Sequence, residues 1–381
     1  MANTPKKLLL LGILQYMLYL GFSTAVLLLL LECALRMAGY PKGLFDYRPQ
    51  DGSSLFRPSA KIHLVWDLIP YTIETNTLGF RGSEITLEKP ADTTRIIALG
   101  DSVTQGFYVD NPDAFPVQME ALLREAGHSV EVVNAAIGDT SIDRQMEMYK
   151  RFCERLDPDM VLLTFVANDI DALRGKTKQA VLNADTFSPD LKETSEWLLF
   201  GKSAIGEIIL DQATQREFKR YRENRDLLAQ EDRRDRYTIP DGDAFAENVD
   251  IFLRDHAQKN DGIAFYETYN DAHLETINTY LYGLDHFHAY LKEQDIQLML
   301  AYYPDYPEVY DRDRKVPLRG MLQEHCAKEG IPFFDLLPAF QSQGAAVLHL
   351  APLDFHPNPA GNTLMAETLA EMLHPYLSTP H

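Results

Sequence analysis

Residues 94–106 read TRIIALGDSVTQG: an apolar run from Ile96 to Leu99 stops at Gly100-Asp101-Ser102. Turns use Gly, Asp and Ser cheaply, so a β-turn is the plain reading. The alternative is a buried strand whose carboxyl end holds Ser102 out for chemistry. The surrounding pattern chooses between them. After this strand comes AFPVQMEALLREAG, 114–127, with helical apolar spacing and a closing glycine. VEVVNAAIG, 130–138, reads as a second strand, SIDRQMEMYKRFCERL, 141–156, as a second helix, and DMVLLTFVAND, 159–169, as a third strand. The third strand is apolar almost throughout, as strands are when both faces of a parallel sheet are covered. A helix over 273–294, a strand over 296–304, a helix over 316–330, a strand over 331–337 and a helix over 359–377 follow. Strands alternating with helices of this length make βαβ units, so the expected fold is a doubly wound, flavodoxin-like α/β domain around a five-stranded parallel sheet.

Around this domain the composition shifts. From Leu8 to Leu31 the chain runs 24 residues without a charge, behind Lys6 and Lys7 and ahead of Glu32. At about 1.5 Å per residue, that length exceeds the roughly 30 Å of a bilayer core. A cleavable signal peptide would have a shorter apolar region and a small-residue cleavage site, so an uncleaved anchor is the expectation. The short basic N-terminus places the body of the chain outside the cytoplasm, periplasmic or at the cell surface, although Arg36, Lys42 and Arg48 weaken the charge bias. The domains expected are thus an anchor over 1–32, a Pro- and Gly-dotted stalk or lead-in over 33–94, and the α/β domain over 95–377. A mostly helical insertion, possible as a lid, interrupts the last at about 175–270. Within it, residues 216–237 carry eight basic and six acidic side chains, a solvated helix with i,i+4 pairs rather than a nucleic-acid patch. The formal net charge of −20 also argues against nucleic acid. Three cysteines, Cys33, Cys153 and Cys326, with no C-x-x-C pair, support neither a disulfide framework nor a zinc site.

Ligands of open α/β sheets bind beyond the carboxyl ends of the strands. There the first strand ends at Ser102, the second near Asn134 and Gly138, and the third at Asn168-Asp169, while LDFHPN before the last helix supplies Asp354 and His356. A serine hydroxyl is a weak nucleophile unless a base lies within hydrogen-bond reach, a role open to His356. An acid must orient that imidazole; Asp354 is the near candidate and Asp335 the fallback. The backbone amides of Ser102 and Gly138 and the side-chain amide of Asn168 could donate to the oxyanion of a tetrahedral intermediate. The plain alternatives are a helix cap for Asn168 and a turn glycine at 138. Asp101 and Asp169 read as caps or loop braces.

GDSVTQG, NAAIG, VANDI and DFHPNPAGN resemble, in order and spacing, the motifs of the SGNH hydrolases, or GDSL lipase/esterase superfamily. NTLGFRG, 76–82, resembles the lead-in of a bacterial branch often preceded by a single membrane anchor. The resemblance spans roughly 76–170 and 290–375. It implies Ser102 as nucleophile, His356 as base, and Gly138 and Asn168 in an oxyanion hole, with no metal or organic cofactor. Three positions depart from the pattern: Val103 replaces Leu, Ala167 replaces Gly, and Asp354 lies two residues before His356 rather than three. The expected activity is hydrolysis of small acyl esters, acetyl first, on a cell-envelope carbohydrate or glycolipid. Transfer of the acyl group to a sugar hydroxyl, fed by a membrane acyl-donor protein, uses the same residues, and a non-catalytic glycan-binding protein is the third reading.

Overall fold

The computed structural model describes residues 4–38, 55–66, 69–183, 204–223, 262–263, 266–310, 313, 315–343, 348–351 and 354–377. They fall into two units, one of residues 1–47 and 189–217 and one of 48–188 and 218–381.

The larger unit is built on the sheet. Residues Lys61–Trp66 form β1 and Ile69–Glu74 form β2, an antiparallel hairpin. The next five strands are β3 (Thr94–Leu99), β4 (Val130–Asn134), β5 (Met160–Phe165), β6 (Gln297–Tyr302) and β7 (Phe333–Asp335). They are all parallel and lie in the order β4-β3-β5-β6-β7. Counted among themselves this is 2-1-3-4-5, the flavodoxin-like order whose direction reverses between β3 and β5. A last antiparallel pair, β8 (His349–Ala351) and β9 (Asp354–Pro357), leads into the final helix.

The strands are apolar because both faces are covered. Ile96, Leu162, Met299 and Ala301 are fully buried under Phe115, Met119 and Leu123 of the helix Phe115–Glu125 and Met365, Leu369 and Leu373 of the helix Pro359–Leu373. Side chains alternate along a strand, and Ile97, Val161, Leu163, Leu298 and Leu300 are buried in the same strands outside that cluster. The rings of Tyr302, Tyr303 and Phe334 are buried as well.

Several element boundaries move. The second strand stops at Asn134 rather than 138, because the chain turns there to bring Ala136 N onto Asn134 Oδ1. The third stops at Phe165, and Asn168–Asp171 is already helical. The second helix runs regularly over Ile142–Met148 and then widens into a π-turn, Tyr149–Cys153. The lead-in segment holds the β1–β2 hairpin, absent from the sequence reading. Of the insertion, Lys178–Leu182 and Ala204–Glu223 are helical; the expected helix over 216–237 lies outside the described residues beyond Glu223.

The smaller unit contains the helix Thr4–Met37, whose stretch Leu11–Met37 has a mean hydropathy of 2.0 and exposed leucines along its length. That helix fits a membrane anchor or a signal sequence. Near its end the Glu32 carboxylate accepts from Arg36 Nε and from the N-terminal amides of Ala204 and Ile205. A carboxylate there satisfies amide donors that a helix cannot pair internally.

Candidate active site

The end of β3 is shaped by Gly100. Its φ is +152°, and a Cβ there would lie 2.3 Å from Thr104 Oγ1 and 3.1 Å from the Thr164 carbonyl. Only glycine allows the chain to turn so tightly from strand to helix. The Asp101 carboxylate then caps the short helix Ser102–Gln105, Oδ1 accepting from Val103 N at 2.9 Å. This turn sets Ser102 at the carboxyl edge of β3, beside the switch point.

His356 arrives from the far end of the chain. It sits on β9, and the segment after it is fastened on both sides. Asn358 caps the last helix through Gly361 N and donates its own N–H to the Leu348 carbonyl. Asn362 Nδ2 donates to the Pro357 carbonyl while its Oδ1 accepts from Phe115 N. The result is a 2.7 Å hydrogen bond between His356 Nε2 and Ser102 Oγ, across 254 residues of sequence. Both residues are buried, at 8% and 7% exposure. A base at that distance is what a serine needs to lose its proton during attack.

Two aromatic rings hold the imidazole. Phe107 stacks on it with centroids 6.0 Å apart, and Tyr108 meets it edge-on at 4.9 Å. Tyr108 adopts φ +66°, a left-handed conformation rare for a bulky side chain, and Tyr71 braces it edge-on. Beneath this loop lies Arg81, only 1% exposed. Its guanidinium donates to the carbonyls of Gln105, Gly106 and Val109 and to Asn111 Oδ1. Burial lowers its pKa to about 10, so it stays cationic at neutral pH. The NTLGFRG turn delivers it: Asn76 Oδ1 accepts from Leu78 N and Phe80 N, and Arg81 bridges the Asn134 backbone at the edge of β4. Arg81, Gln105, Phe107 and Tyr108 were not singled out in the sequence. Arg81 lay inside a noted motif and Gln105 inside GDSVTQG, but their partners are mostly main-chain atoms that no motif displays.

The oxyanion candidates are gathered at this edge but differ in their bonding. Asn168 Nδ2 donates to Asp101 Oδ2 at 3.1 Å; its second N–H is left for another acceptor. The Gly138 N–H donates to Gln105 Oε1 at 2.7 Å. A Cβ at Gly138 would press to 2.7 Å from the Phe107 ring, so glycine is required beside the ring that stacks on His356. Asp169 accepts from Val166 N and Gln145 Nε2, bracing the loop as expected. Burial pushes the Asp101 and Asp169 carboxyls up, and the charge of Asp101 raises Asp169 further. Of the two candidate acids, Asp354 opens β9 and pairs with Ala351, but its side chain lies outside the described residues. Asp335 is occupied elsewhere, accepting from Arg319 Nη1 at 2.7 Å and from Leu337 N.

The sequence profile of the GDSL-like lipase/acylhydrolase family matches residues 98–364, well over half of the chain. The chain belongs to that family. As a GDSL-family member it is an ester-bond hydrolase, and its fold and its Ser102–His356 pair fit that chemistry. Superposable solved structures include TesA, at 12% identity and TM-score 0.41 over 74% of this chain and 100% of that one. An acetylxylan esterase from Geobacillus stearothermophilus matches at 12% identity and TM-score 0.40, over 74% and 94%. A lipolytic protein of the G-D-S-L family from Desulfitobacterium hafniense matches at 13% and 0.36, over 74% and 99%. No curated protein sequence matches the chain. The GDSL departures are tolerated locally. Val103 is fully buried in the core, and Ala167 has φ −55°, ψ −35°, a backbone open to any L-residue.

Proposed function

We propose that the protein is a membrane-anchored serine esterase that removes small acyl groups, acetyl first, from a carbohydrate or glycolipid of the cell envelope. The observation that carries this reading is the 2.7 Å contact between His356 Nε2 and Ser102 Oγ. Ser102 Oγ attacks the acyl carbonyl carbon while His356 Nε2 takes its proton. Negative charge then builds on the former carbonyl oxygen. The Ser102 N–H, Asn168 Nδ2 and, once released from Gln105, the Gly138 N–H are the donors for it, each worth roughly 2.7–4 kcal/mol in such a site. His356 returns the proton to the departing alcohol, and a water activated in the same way frees the acid. Asp354, from β9, is the acid that orients the imidazole.

The apolar N-terminal helix supports an anchor, with the α/β domain on the extracytoplasmic side. Transfer to a sugar hydroxyl is the second reading, favoured by the burial of both reacting side chains, which limits water at the acyl-enzyme. The test is the detergent-solubilised full chain given an activated acetyl ester and, separately, an acetylated glycan with a free sugar acceptor. Acetate release lost in Ser102→Ala supports the esterase. Acetylated acceptor with no acetate establishes transfer, and turnover that survives Ser102→Ala removes both.

A further inference from the structure

Gln105 lies three residues after the nucleophile, is fully buried, and occupies the one N–H that Gly138 has to offer. The amide assignment is fixed by chemistry: a backbone N–H requires the oxygen of Gln105 to face it. That leaves Gln105 Nε2 buried with no hydrogen-bond partner among the described residues. A buried side-chain amide satisfied at one end only is an arrangement that folding does not favour for its own sake. Its place is also informative. Gly138 packs on Phe107, and Phe107 stacks on His356, so the N–H held by Gln105 belongs to the wall of the reacting centre.

We propose that Gln105 is a positioning residue that gates the oxyanion hole, and this rests on the serine-esterase reading above. In the resting protein its side-chain carbonyl stands in for the substrate's oxygen on Gly138 N. An acyl oxygen and Gln105 Oε1 cannot both take that single hydrogen at full strength. Productive binding therefore exchanges one carbonyl oxygen for another, and the hole gains its third donor only when an acyl group of the right depth displaces Gln105. A ligand lacking a carbonyl at that point leaves the gate shut. The opening cost falls on the chemical step, since the donor is used most strongly when charge develops.

The test combines kinetics with one structure. Gln105→Leu, of similar shape but without the carbonyl, is expected to raise kcat for a small acetyl ester by about two- to tenfold, the worth of one neutral hydrogen bond, with KM nearly unchanged. Gln105→Met serves the same purpose if the leucine variant does not fold. In the crystal structure of the fluorophosphonate adduct, the phosphonyl oxygen is expected at about 3 Å from Gly138 N, with Gln105 Oε1 displaced. A labelled, active protein in which Gln105 stays on Gly138 N, or in which both variants lose or keep kcat, overturns the gate and leaves the esterase standing. A folded protein that the fluorophosphonate does not label at Ser102 overturns the esterase, and the gate with it.

Discussion

Replacing Arg81 by Met tests whether a buried cation holds the catalytic loop in place. The guanidinium makes four hydrogen bonds, three of them to the main-chain carbonyls of Gln105, Gly106 and Val109. Bonds from a charged donor contribute about 1.5 kcal/mol each at the low end, or about 6 kcal/mol together. Against this stands the cost of burying the charge. The fall in pKa from 12.5 to about 10 corresponds to about 3 kcal/mol. The net loss expected for Arg81→Met is about 3 kcal/mol, a fall in melting temperature of about 4 °C for a chain of this size. A kinetic effect accompanies it. Phe107 and Tyr108 lie between the clamped carbonyls and His356, so a loosened loop frees the imidazole, and kcat should fall by about tenfold or more. Arg81→Lys should recover little of either, because one ammonium cannot reach four separated acceptors. Thermal unfolding by circular dichroism and steady-state hydrolysis of an acetyl ester measure both effects. An Arg81→Met protein that melts and turns over like the native one would refute the clamp.

Two further outcomes follow from the site and its surroundings. Asn168→Ala should lower kcat by about 10²–10³ with a modest change in KM, as expected for a donor used in the transition state; equal kcat would assign Asn168 to capping alone. Burial raises the Glu308 carboxyl to about 7, against the hydrogen bond from Tyr302. The folded chain thus keeps a proton that the unfolded chain has released above about 4.5, and stability should decline as pH climbs from about 4.5 to about 7. Glu308→Gln should flatten that decline in denaturant titrations run across the window, and an unchanged slope would contradict the assignment.

The sheet was legible because its central strands are buried on both faces and several helix boundaries carry a glycine or proline signal: Gly127 and Gly330 follow helix ends, and Pro359 opens the last helix. Ser102 was legible because it follows the end of a buried strand, and His356 because its DFHP segment precedes the last helix; the two side chains meet at 2.7 Å. The β1–β2 hairpin was not, since KIHLVW and IPYTIE mix apolar and polar residues without clean alternation along their length and the second carries Pro70. Arg81 was hidden for another reason: its acceptors are mostly main-chain carbonyls, which every sequence possesses. Gly138 shows the limit most plainly. Its place beside the site follows from the end of β4, but the destination of its N–H depends on the rotamer of a glutamine 33 residues away.

The most direct measurement is the intact mass, with peptide mapping, of the full chain after reaction with a fluorophosphonate. A single adduct on Ser102, formed about 10³-fold or more slowly in His356→Ala, is the expected result. A folded native protein that carries no adduct at Ser102, or one labelled equally fast without His356, would contradict the account.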